Sequence, residues 1–157
     1  MAAQKDYSYS TPKGVPGGKV DLSSDEVVTR INEAEDGVLK YGMAVAYGST
    51  PGSSVTAPAA DTTADKIEGV LLCHPNTEQD MKGKVVVKKD VSVGVMCKGR
   101  IWGRLSDGVS PTYGEKAYVS VAGDDAGTFT NAAEGALDIG AKFGNAADNG
   151  IAVIILK

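Results

Sequence analysis

The stretch Lys84–Leu105, KVVVKKDVSVGVMCKGRIWGRL, decides the fold class. Val85, Val87, Val91, Val93, Val95 and Cys97 occupy odd positions, with Lys89 the exception, while Lys88, Asp90, Ser92 and Lys98 occupy even ones. Alternation with a period of two describes a half-buried β-strand, because successive side chains leave opposite faces of the backbone. Lys89-Asp90 breaks the alternation and predicts a turn or bulge. Beyond Gly99 the odd face continues as Ile101, Gly103 and Leu105. A reversal over Lys98-Gly99-Arg100 would set Cys97 against Ile101 and Val93 against Leu105, so the apolar faces match. A two-residue loop at Lys98-Gly99 would instead oppose Val93 and Arg104. The pattern therefore predicts a hairpin with a three-residue reversal.

Outward from this stretch the same grammar repeats. Val27–Ile31, Met43–Tyr47, Ile67–Cys73, Lys116–Val121, Leu137–Phe143 and Gly150–Leu156 are apolar or β-branched runs of strand length. Val55–Pro58 suits a short edge piece, because proline donates nothing to a ladder. Thr128-Phe129-Thr130 is a further short β segment. Ala59–Asp65 reads as a loop or a single helical turn. Turn chemistry separates the runs at Glu33–Gly37, Gly48–Gly52 and Gly123–Gly127. Twenty glycines in 157 residues is about twice the usual share of about 7%. The count is roughly nine to eleven short strands. The expected fold is therefore all-β: one β-sandwich or jelly-roll-like domain, or a partly open β-barrel.

Residues 1–18 differ from the rest. Tyr7 and Tyr9 alternate with serines, and Pro12, Gly14, Pro16, Gly17 and Gly18 follow. Such a segment cannot be helical and has little to bury alone. It reads either as a disordered tail or as an extended N-terminal arm that orders only against a partner, with the β-rich domain at 19–157. Fully extended, it would reach roughly 60 Å. It carries no apolar core of a signal peptide, and no stretch approaches the ~20 apolar residues of a membrane span.

The chemistry of the chain is sparse. Its net charge of -4 argues against a nucleic-acid partner. The small basic cluster Lys82–Lys89 reads as the solvated face of a strand. The single histidine, His74, follows Cys73, and adjacency on a strand would point the two side chains to opposite faces. Cys73 and Cys97 read as small core residues of a reducing compartment, with no disulfide expected. The acidic clusters Asp21/Asp25/Glu26, Glu33/Glu35/Asp36, Asp124/Asp125 and Asp138/Asp148 show no calcium-loop spacing, and nothing in the sequence sets two of them across a cleft. No phosphate-binding glycine motif is present. Catalytic residues, metal ligands and cofactors are therefore not expected. Trp102 between Arg100 and Arg104 is the remaining constellation. An indole flanked by guanidinium groups could stack on a sugar or base, fits a subunit contact at least as well, and reads equally as an ordinary partly buried tryptophan; Tyr7 and Tyr9 on the arm fit a contact as aromatic anchors.

Three segments in this order carry a resemblance. They are Gly37–Val45, GVLKYGMAV; Val91–Trp102, VSVGVMCKGRIW; and the series Tyr113–Val119, Gly127–Asn131, Ile139–Phe143 and Gly150–Ile154. Together they resemble the capsid cement, or decoration, proteins of tailed bacteriophages over roughly residues 14–157. The resemblance implies a structural virion protein, made in the bacterial cytoplasm, that binds the outer surface of an icosahedral capsid. Its implied partners are the major capsid protein and copies of itself, a homotrimer ahead of a dimer, with no nucleic acid and no membrane. It implies clamping of neighbouring subunits in the expanded shell and no catalytic residues. The rival expectation is a carbohydrate-binding β-sandwich on a virion or cell surface, which the nine aromatics and single tryptophan make the weaker of the two.

Overall fold

The computed structural model describes residues 14–74 and 81–157. Tyr7 and Tyr9 lie outside the described residues. Within them the chain forms nine strands and no α-helix: β1 Glu26–Asn32, β2 Ala44–Tyr47, β3 Ser54–Thr56, β4 Ile67–Leu71, β5 Ser92–Arg104, β6 Lys116–Ser120, β7 Phe129–Thr130, β8 Ala136–Phe143 and β9 Ile151–Leu156. Single 3-10 turns stand at Ala64–Lys66 and Gly123–Asp125. The expected all-β fold is present as a partly closed barrel with a sheet curling from it.

The predicted hairpin at Lys98–Arg100 does not form. β5 runs straight through as one strand of 13 residues, about 40 Å long at the usual rise. Against β1 its register moves from Val27↔Met96 to Glu26↔Lys98, which leaves Cys97 as the extra residue of a bulge. Gly99 follows with φ of 124°, and a Cβ there would lie 2.7 Å from the Cβ of Asp25. The basic-glycine break is thus a bulge within a strand. Period-two logic could not tell the two apart, because Cys97 and Ile101 share a face in a straight strand as readily as they face each other in a hairpin.

β5 joins two lobes. Its first half pairs with β1 on one side and β4 on the other. The pairings β1–β3 (parallel), β3–β2 and β2–β4 complete a ring of five strands. Inside it lie Val45, Val55, Leu71, Val93 and Val95, with Leu39 and Val87 from loops joining the same cluster. The second half of β5 pairs with β9, and the sheet continues through β8 and β6 to β7. A bridge from Leu105 to Phe129 brings β7 back beside the end of β5. Ile101, Val119, Phe129, Phe143 and Ile154 fill this second lobe. Ala44, Val70 and Met96 belong to the same cluster. Both faces of β2, β4 and the first half of β5 are therefore buried there, while β1 keeps much of its outer face exposed.

Residues 84–91 are not part of a strand. Val87 is buried, its carbonyl accepts the Gly37 N–H, and Val85 is exposed. Lys89-Asp90 forms the expected turn, with Asp90 at φ 61° and its N–H on the Asn32 carbonyl. Asn32 is fully buried, donates to the Lys88 carbonyl and accepts from the Ala34 N–H. Its amide therefore has partners on both sides. Lys89 pairs with Glu35 at 2.7 Å. Cys73 and Cys97 are free and only half-buried, so neither is the core residue the sequence suggests.

The bulge generates a direct test. Gly99→Ala should lower unfolding free energy by about 1–3 kcal/mol, because the backbone conformation disfavours any side chain. Urea unfolding would show a lower midpoint with unchanged slope; a wild-type midpoint would contradict the bulge.

A second test concerns acid. Glu33 accepts hydrogen bonds from the Ser49 hydroxyl and N–H, and with Ser54 these hold its pKa below the ordinary carboxylate value. A lowered folded pKa gives stability that is complete above the unfolded value near 4.5 and is lost as pH falls through the folded one. The stability gap between wild type and Glu33→Gln should therefore be constant at neutral pH and shrink below about pH 4.5. Thermal melts from pH 7 to pH 3 would measure it, and a gap independent of pH would contradict it.

Candidate functional site

The second half of β5 has β9 on one edge and the chain's own N-terminal segment on the other. Gly17 N–H donates to the Trp102 carbonyl at 2.7 Å, Trp102 N–H to the Gly18 carbonyl at 2.9 Å, and Val20 N–H to the Arg100 carbonyl at 3.3 Å. Lys19 bridges Ile101 in antiparallel register. Residues 17–20 thus complete a ladder that would otherwise show an open edge. The segment is tied to the first lobe as well, because the Gly17 carbonyl accepts the Cys73 N–H at 2.8 Å. Gly42 sits across from Gly17: its N–H reaches the Leu71 carbonyl and its own carbonyl accepts the Arg104 N–H. Two backbones cross there at a distance that leaves no room for a Cβ on either.

The structure separates the sequence-predicted contact residues. Trp102 is only 5% exposed, packed with Ile151, Val153 and Val20. Gly14 lies directly over its indole. Its contacts in the described chain are internal, and its role there is to hold residues 14–20. Arg100 stands at the surface, 3.6 Å from Asp21. Arg104 is half-buried and donates from Nε to the Tyr41 carbonyl at 2.8 Å. Burial lowers the Arg104 pKa.

Arg104 borders a cleft of about 560 Å³ that sequence reasoning did not find. Leu39, Val15, Val85 and Val87 give it apolar surface, and Lys40 and Lys84 add charge beside Arg104. Tyr41, Cys73 and His74 form another wall. Burial, and secondarily the charge of Cys73, pushes the Tyr41 hydroxyl above its ordinary pKa. β4 ends at Leu71, so Cys73 and His74 lie beyond it and both border the cleft. The opposite-face rule for strand neighbours does not apply to them. Five stretches remote in sequence build this cleft, and no local motif marks it. The one available signal was an arginine, Arg104, directly between the buried run Ile101–Gly103 and Leu105.

Several of the acidic residues are engaged in turns and ion pairs. Asp25 meets Lys19 at 2.6 Å and Asp138 meets Lys116 at 3.0 Å. Asp36 accepts the Lys89 N–H. Asp124 and Asp125 lie in the exposed turn before β7.

The sequence matches, over residues 3–157, the family described as "Structural cement protein (E217 gp24/Pam3 gp6)". The chain belongs to this family of phage structural cement proteins, and so is a structural protein of the phage capsid. No curated protein sequence matches it. Among solved structures, a chain of "The capsid of Myoviridae Phage XM1" superposes with a TM-score of 0.78 at 17% identity, covering 100% of this chain and 98% of that one. At that identity the likeness is one of fold, and it extends over both lobes.

The clamp on Trp102 is testable without disturbing the core. A Cβ at Gly14 would lie 2.2 Å from the indole. Gly14→Ala should therefore lift the segment from Trp102, shift tryptophan emission to longer wavelength and speed amide exchange at Gly17, Gly18 and Trp102. Melting temperature should move by no more than about 2–4 °C, equivalent to roughly 1 kcal/mol for a chain of this size. Unchanged emission and exchange would show that the contact does not hold the segment.

Proposed function

We propose that this protein binds the outer surface of an icosahedral phage capsid and clamps neighbouring copies of the major capsid protein, stabilising the expanded shell. The family match over residues 3–157 carries this reading. The two-lobed body supports it physically. A strand about 40 Å long shared by two packed cores resists bending, so force applied to one lobe is transmitted to the other.

The arm at residues 1–18 belongs to the proposal, with Tyr7 and Tyr9 as its aromatic anchors. Residues 14–18 rest on the body, so the reaching part is 1–13. Arg100 and Arg104 supply charged contacts, and Trp102 acts beneath them by fixing the arm's root. A homotrimer is the expected assembly, ahead of a dimer. Symmetry-matched copies multiply modest individual contacts through effective concentration. The carbohydrate reading gains no support from the described residues. The indole that would stack on a sugar is covered, and the most exposed aromatic among them is the isolated Tyr113, at 79%.

Expanded shells that lack this protein provide the test. Purified full chain should add density on the shell exterior between subunits and raise the temperature at which shells break. Light scattering should give three times the chain mass of 16.1 kDa. Removing residues 1–13 should weaken shell binding about tenfold, equivalent to roughly 1.4 kcal/mol. Full affinity after trimming would sink the arm, and absence of exterior density would sink the capsid-binding reading itself.

A further inference from the structure

Resting on the capsid reading above, we propose that the cleft beside Arg104 receives a peptide segment of the neighbouring capsid subunit in which carboxylates alternate with apolar side chains. Charge complementarity points to that occupant. The chain carries 20 acidic and 16 basic residues. Yet two of its cations, Lys40 and Arg104, border this one cleft. Arg104 is the sharpest element. Its Nε is fixed on the Tyr41 carbonyl, and among the described residues no acidic side chain forms an ion pair with it. A half-buried guanidinium held, among the described residues, by Nε alone is well suited to a carboxylate, which it can grip through two parallel hydrogen bonds.

The apolar side of the cleft defines the rest of the occupant. Leu39 and Val87 are buried at its base, while Val15 and Val85 keep 55% and 43% of their surface exposed at its edge. A free inorganic anion would satisfy Arg104 and leave those valines wet. An alternating acidic and apolar segment would cover both. The volume, about 560 Å³, falls in the range that accepts a few side chains. The walls are already set by main-chain bonds. Gly17 holds Cys73, and Gly42 ties Leu71 to Arg104. Binding therefore has little ordering cost on this side of the contact.

The cleft can be tested apart from the capsid. The full chain would be titrated with a blocked hexapeptide of alternating Glu and Leu, and with its Gln-for-Glu counterpart, while backbone amide signals are followed. The acidic peptide should move the signals of Leu39–Tyr41, Cys73, Val87 and Arg104. The Gln counterpart should bind about tenfold more weakly. Arg104→Gln, and separately the surface variant Lys40→Glu, should each weaken the acidic peptide by about tenfold without altering the unfolding midpoint in urea by Lys40→Glu. Signal changes elsewhere, equal binding of the two peptides, or changes produced by raising protein concentration alone would overturn the proposal. Titration of bare shells with Lys40→Glu separates the two readings. If wild type fails to bind shells, the capsid reading falls and the peptide result still decides the cleft. If wild type binds shells and Lys40→Glu binds equally well, the cleft is not the contact.

Discussion

Continuity of β5 through its bulge is the constraint on which the rest of the structure depends. The strand's backbone groups are claimed by β1 and β4 along its first half and by β9 and residues 17–20 along its second. Buried backbone donors and acceptors must find partners. Breaking the strand at Cys97–Gly99 would therefore open the five-strand ring at one end and detach the second lobe's sheet at the other. The bulge reconciles these demands. It absorbs one residue where the five-strand ring meets the second lobe's sheet, while Ile101 stays turned into the shared core.

Polar groups reinforce this plan at points where loops meet strands. Asn32 closes the end of β1 with an amide whose donor and acceptor are both used. Glu33, one residue on, fixes the turn between β2 and β3. Arg30 and Glu68 pair at 2.7 Å while largely covered by protein. The desolvation of such a pair offsets much of its attraction, so its loss is felt chiefly when one partner remains without the other. Neutral apolar packing carries the bulk of stability, and these groups fix which loop lies against which strand.

The extent to which the sequence discloses this structure follows from the range of each interaction. Strands such as Met43–Tyr47 and Gly150–Leu156 are legible because alternation and turn residues are local signals, and β2 and β9 stand where those signals put them. The phage cement family is legible for the same reason, since ordered short motifs over the whole chain are a local record repeated many times. The hairpin prediction failed where one local signal had two global solutions. Glycine after lysine permits a reversal or a bulge, and only the availability of β9 as a partner selects the bulge. Trp102 was legible as unusual, with partial burial and a subunit contact equally open, because one group of residues that cover it comes from position 14 onward, nearly ninety places earlier. The cleft was illegible for a stronger reason. Its side chains converge from five stretches, so no spacing rule contains them.

That distribution has a physical consequence for how a protein with so little reactive chemistry can be specific. The barrel's closed ring leaves few open edges for indiscriminate strand pairing, and the segment 17–20 covers the edge of β5 that would remain. Recognition must then reside in side chains and loops held at fixed positions. The residues beside Trp102 meet that requirement twice. The indole holds residues 14–20, and Gly17 in the same segment anchors the wall that carries Cys73. The segment 14–20 is therefore mechanically coupled to the cleft beside Arg104. Load on Gly14–Val20 would be transmitted into the ladder of β5 and, through the Gly17–Cys73 bond, into the residues that follow β4. Contacts built on one rigid ladder share their ordering cost, so a second engaged contact costs less than the first.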